Sequence, residues 1–226
     1  VYCDSSSYGG GIGVAAVLYL DSMEESSLTY HLGSDAEHTV YKGEVVGFTL
    51  GLHLLASVVG WIRRGAIMGS NSQAVIMALD NQHPHPAHYL LDHVHTAAEN
   101  LHRKVNQLSH TPERHAALCA GKKWTACTRG ATDLQVHWTP GHIGFGLNVR
   151  VDELAKDAAQ GTFSDPKTLP VYLQSKPLPA SILATRQCML TDIEGLWQRR
   201  WKKSLRFPKI NRINDTLPSK GYMHLV

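Results

Sequence analysis

The stretch HWTPGHIGFGLNVRVDELAKDAA, residues 137–159, decides how the chain is read. It begins as the end of an alternating run, Leu134 to Trp138, which predicts a strand. Pro140, Gly141, Gly144 and Gly146 then break regular structure. From Asn148 to Gln160 the apolar positions recur at helical spacing, and Gly161 stops the helix. Asp152 lies within that helix, just past the glycine-rich loop. A carboxylate there has two readings: a helix cap, or a ligand presented beside a loop.

Working outward, the first half of the chain supplies the partners that choose between them. Tyr2 to Ser5 reads as a strand, Gly9 to Gly11 as a turn, and Ile12 to Leu20 as a buried strand. Asp21 to Ser27 reads as a polar turn and Leu28 to Leu32 as a third strand, completing an antiparallel meander. Val40 to Val59 has helical periodicity, and its glycines allow close packing on a sheet. A strand at Ala66–Ser70, a short helix at Ser72–Leu79 and a long helix at Tyr89–Leu108 follow. The order β-β-β-α-β-α-α-β-α predicts an α/β fold with a mixed five-stranded sheet, three antiparallel strands then parallel ones, flanked by helices.

Two carboxylates fall on faces that should be apolar. Asp4 interrupts the first strand, and Glu44 lies in line with Val40, Phe48 and Gly51 on the long helix. An unpaired carboxylate in a core is costly. Two brought together repel, which a divalent cation relieves. Oxygen-only ligation favours Mg2+ or Mn2+. The chemistry that follows is metal-assisted attack of water on a phosphodiester.

The segment Trp138-Thr139-Pro140-Gly141-His142-Ile143-Gly144, followed by Asp152-Glu153-Leu154-Ala155, resembles the ribonuclease H family. Tyr2-Cys3-Asp4-Ser5-Ser6, Gly43-Glu44 and Ser70-Asn71-Ser72-Gln73 are similar to that family's other motifs, in the same order, so the resemblance covers residues 1 to about 161. The likeness is strongest to the ribonuclease H domain of fungal retrotransposon polyproteins, through residues 37–41, 88–92 and 217–219.

The resemblance implies a ribonuclease H-like fold and endonuclease action on the RNA strand of RNA/DNA hybrids, with two Mg2+ or Mn2+ ions. It implies metal ligands at Asp4, Glu44, position 71 and Asp152, and proton transfer or product release assisted by His142. Ser5, Ser6, Ser72, Gln73 and Asn148 are the candidate substrate contacts. A reverse transcriptase domain of the same polyprotein is the implied partner. At three places the chain departs from the family pattern. Asn71 stands where an aspartate is usual, Ser5 replaces a glycine and is expected to crowd the site, and Val149 replaces a glutamate. These changes predict impaired activity. The alternative is a catalytically inactive ribonuclease H-like module for nucleic-acid binding or assembly.

Composition bounds the remaining choices. The 226 residues suffice for one domain with an extension. Domain limits are expected at 1–161, with a Pro-rich linker over 162–180 and a basic, partly helical extension over 181–226. No apolar run is long enough for a membrane span. Without an initiator Met the chain reads as a fragment, and with four unpatterned cysteines as an intracellular one with free thiols, cytoplasmic or nuclear. A zinc site at Cys119 and Cys127 with nearby histidines lacks the usual ligand spacing.

Net charge is only +3, yet the basic residues concentrate after Arg186, pointing to a polyanionic partner for the extension. Arg199, Arg200, Trp201, Lys202 and Lys203 form the densest basic patch, and Lys122, Lys123, Trp124 and Arg129 a weaker one in the insertion at 109–133. Their ordinary reading is a solvated helix end and a solvated loop. A dinucleotide-binding reading of Gly9–Gly13 fails because a strand, not a helix, follows.

Overall fold

A computed structural model describes residues 1–59, 66–81, 87–109, 134–140 and 146–212. His142, most of the insertion, Cys119, Cys127 and the residues after 212 lie outside the described set, so the expectations placed on them are not addressed below.

The first strand, β1 (Tyr2–Tyr8), is central because its neighbours cover both its edges. It pairs antiparallel with β2 (Gly11–Leu20), which pairs antiparallel with β3 (Met23–Ser34). On the other side β1 pairs parallel with β4 (Ala66–Ser70), and β4 with β5 (Leu134–Trp138). The order β3-β2-β1-β4-β5 is the ribonuclease H-like arrangement expected from the sequence. The helices are α1 (Val40–Val58), α2 (Gln73–Asp80), α3 (His88–Ser109) and α4 (Gly146–Ala159).

β3 begins five residues earlier than its apolar pattern indicated. Asp21 and Ser22 both have positive φ, at 49° and 68°, which makes a tight two-residue hairpin. Backbone pairing with β2 therefore continues through exposed Glu24 and Glu25.

Alternation along β2 buries both faces. Ile12, Val14, Ala16 and Leu18 join the large core with α1 and α3, while Ala15 and Val17 pack with Val151 and Ala155 of α4. α4 approaches so closely that a Cβ at Gly13 would lie 2.1 Å from the Ala155 carbonyl oxygen, so only glycine fits there. That approach fixes α4, and Asp152 with it, over the face of β1 and β2.

The expected linker is corrected. Leu169, Leu173 and Leu178 are buried in the large core, and the first compact unit runs Val1–Ser181. Pro166 opens a 3-10 turn, and Pro170 caps a short helix, α5 (Val171–Gln174). The prolines thus shape a strap that packs. Thr29 and Ser164 exchange hydrogen bonds of 2.9 and 3.1 Å along it. The second unit begins at Ile182 with α6 (Ile182–Lys202), followed by α7 (Phe207–Ile210). Among the described residues no helix is long and apolar enough to cross a membrane. Cys3 and Cys188 are free thiols.

Candidate active site

Asp4 sits at the middle of the sheet because β1 does. It is paired with Ala15, whose side chain packs under α4, so Asp4 points to the same face. It is only 4% exposed. Its Oδ1 accepts from the Ser5 backbone N–H at 2.7 Å and from the Asn71 amide at 3.1 Å. Asn71 lies just past β4, between Ser70 and the Ser72 cap of α2. The Trp138 indole donates to the Asn71 carbonyl at 3.1 Å, and the Thr139 N–H to that of Ser70 at 2.8 Å. The Trp-Thr-Pro segment therefore braces the turn that carries Asn71.

Glu44 arrives from the first turns of α1. Thr39 caps that helix, accepting from the Lys42 N–H at 3.3 Å. Glu44 is buried; its Oε1 accepts from the Ser5 hydroxyl at 2.9 Å, while its Oε2 is buried with no hydrogen-bond partner among the described residues. Burial, then the neighbouring Asp4 charge, push the Glu44 carboxyl up to about 8. Asp4 is also raised, mainly by burial and further by the charge of Asp152; the bonds from Ser5 and Asn71 oppose this by stabilising its ionised form. Two carboxyls with raised acidity constants, one bearing an orphan oxygen, make a site short of positive charge.

Ser5 does not crowd this site as expected. A Cβ at position 43 would lie 2.7 Å from the Ser5 Cβ, so Gly43 supplies the space that Ser5 occupies. The hydroxyl then serves as the tether for Glu44.

Asp152 stands apart from the pair. Its Oδ2 is held by Lys156 at 2.6 Å, one turn further along α4. Among the described residues no three His, Cys, Asp or Glu side chains are grouped closely enough to hold a metal ion. The structure thus brings together Asp4, Ser5, Glu44 and Asn71, and leaves Asp152 near them but ion-paired. Lys156 was missed as a site residue, although its i,i+4 spacing from Asp152 signals such a pair.

The candidate substrate contacts divide. Ser72 caps α2, accepting from the Val75 N–H at 3.4 Å, and Gln73 is exposed beside it. Ser6 is half-buried on β1. Asn148 is buried with its Oδ1 unpartnered among the described residues, and Val149 is exposed.

No protein-family model and no curated protein matches the chain. Solved structures resemble it in overall fold. A ribonuclease H1 from the halophilic archaeon Halobacterium salinarum is 17% identical, with a TM-score of 0.45, covering 71% of this chain and 96% of its own. The N-terminal RNase H domain of a Mycobacterium tuberculosis protein is 18% identical, with a TM-score of 0.45, covering 70% and 92%. A compost metagenome RNase H1 in complex with an RNA/DNA hybrid is 16% identical, with a TM-score of 0.42, covering 70% and 94%. The fold class defined by the sheet order is ribonuclease H-like.

Proposed function

We propose that residues 1–181 form a ribonuclease H-type nuclease domain that binds RNA/DNA hybrids and cuts the RNA strand weakly, its site attenuated by Asn71. The observation that carries this reading is the buried Asp4–Glu44 pair with its unpartnered Oε2. That pair fits a hard divalent cation such as Mg2+ or Mn2+: it offers oxygen donors and lacks a counter-charge. Asp4 and Glu44 would hold the ion, with Asn71 Oδ1 and Asp152 as the remaining donors. A bound divalent ion supplies activation of water and stabilisation of the leaving oxygen of a phosphodiester.

The chain's own residues do the positioning. Ser5 orients Glu44, Trp138 and the Ser72 cap hold the Asn71 turn, and the tight α4–β2 contact sets Asp152. His142 is proposed to assist proton transfer or product release. Asn148 offers an amide to the substrate. The affiliation with fungal retrotransposon polyproteins, and a reverse transcriptase domain as partner, belong to this reading.

A second reading has its own support. Asn71 donates to Asp4, and Lys156 neutralises Asp152. Both interactions satisfy carboxylates without a metal, as a non-catalytic nucleic-acid-binding module would.

Asn71→Asp separates the two. Hydrolysis of a labelled RNA strand in a hybrid, with Mg2+ or Mn2+, is expected to be slow in the parent. The variant is expected to gain at least ~100-fold, the loss of one charged group at such a site being worth several kcal/mol. An inert Asn71→Asp chain that still binds hybrid favours the non-catalytic module. Efficient cutting by the parent contradicts the role given to Asn71.

A further inference from the structure

The acidic site does not use the most charged part of the chain. Residues 182–212 carry eight Lys/Arg against two Asp/Glu, while the whole chain is only +3. From Arg199 to Arg212, seven of fourteen residues are cationic and none is acidic. All seven side chains, at 199, 200, 202, 203, 206, 209 and 212, are exposed. Among the described residues none of them has a carboxylate partner; the ion pairs lie elsewhere, at Asp92, Glu24, Glu153 and Asp152. Unneutralised cations at this density repel one another, and an external polyanion relieves that.

The arrangement of these charges selects among polyanions. α6 has an exposed apolar stripe through Ile182, Met189, Ile193, Leu196 and Trp197. At 100° per residue, Arg186 and Arg200 fall inside that stripe, while Arg199, Lys202 and Lys203 point in other directions. A helix lying on a membrane keeps its apolar face clear of charge, so a planar lipid surface fits poorly. A nucleic-acid backbone presents phosphates over a curved surface and accepts cations from several directions.

We propose that Arg199–Arg212 is a nucleic-acid-binding arm that grips the sugar-phosphate backbone of duplexes by charge, without reading sequence. Its consequence, that the arm retains the chain on the polymer its acidic site acts on, rests on the nuclease reading; the binding itself does not.

The test uses the full chain in EDTA, where no hydrolysis occurs. Fluorescence anisotropy measures Kd for an RNA/DNA hybrid and for duplex DNA across a salt series. The parent is compared with R199Q/R200Q/K202Q/K203Q, and with R206Q/K209Q/R212Q, whose changes lie beyond α6. Circular dichroism checks folding, and Gln preserves helix propensity. Each variant is expected to bind both duplexes at least ~10-fold more weakly at low salt, with a log–log salt slope shallower by about 3 units, one per lost phosphate contact. Unchanged affinity and slope in both variants overturn the proposal. So does a parent that binds vesicles of anionic phospholipid but neither duplex. If the arm binds as expected while Asn71→Asp stays inert, the nuclease reading fails and the arm stands.

Discussion

At the scale of single residues, the site turns on an exchange of volume between two neighbours. Ser5 stands where the resemblance leads one to expect glycine, and Gly43 across from it leaves the room. Gly43→Ala would gain helix propensity of ~1 kcal/mol in an isolated helix. Here it drives a Cβ to 2.7 Å from Ser5, and overpacking of this kind costs about 1–3 kcal/mol. Gly43→Ala is therefore expected to destabilise in urea unfolding. Gly43→Ala with Ser5→Gly is expected to recover most of the loss, giving a coupling above ~0.5 kcal/mol. Additive effects would mean that the two positions do not share space. The sequence announced Ser5 as a departure but not its compensation, because Gly43 faces it only once β1 and α1 are packed together.

At the scale of elements, strands and helices were legible where periodicity and burial agree. Glu44 stood out because Val40, Phe48 and Gly51 mark the same face of α1, and the structure buries it there. β3 was read short because Glu24 and Glu25 are exposed; strand pairing set by the Asp21–Ser22 turn outweighs side-chain pattern at that end. The strap over 162–181 was read as a linker because prolines resemble one in composition. Leu169, Leu173 and Leu178 are spaced too irregularly for a periodic signal, yet all three enter the core. Burial of three leucines is worth roughly 5–9 kcal/mol as an upper bound, comparable to the 5–15 kcal/mol total of a typical domain. A chain ending at Gly161 is thus expected to unfold at far lower urea than one ending at Ser181. Equal midpoints would show that the strap is dispensable.

At the scale of the whole molecule, the sheet order is what gathers carboxyls from distant segments. β1 in the centre carries Asp4, α1 covers one face with Glu44, and α4 covers the other with Asp152. The order of motifs made the first two legible as a pair. The Lys156 contact that engages Asp152 was not read, since a short-range ion pair on an exposed helix face looks like ordinary surface chemistry worth at most ~1 kcal/mol. The central claim is that the Asp4–Glu44 pair lacks a cation, and linkage gives it a sign. Glu44 has an ordinary value of 4.5 and is raised to about 8 in the fold. Its contribution to stability is complete below 4.5 and is lost as pH rises through about 8, on the order of a few kcal/mol. A divalent ion that takes the proton's place should restore what is lost.

The direct measurement is the melting temperature of the parent and of Glu44→Gln across that pH range, in EDTA and in saturating Mg2+. The parent in EDTA is expected to lose stability towards alkaline pH, Mg2+ to remove most of that loss, and Glu44→Gln to show neither effect. A parent whose melting temperature is indifferent to Mg2+ at every pH, or whose profile survives Glu44→Gln unchanged, would contradict the claim.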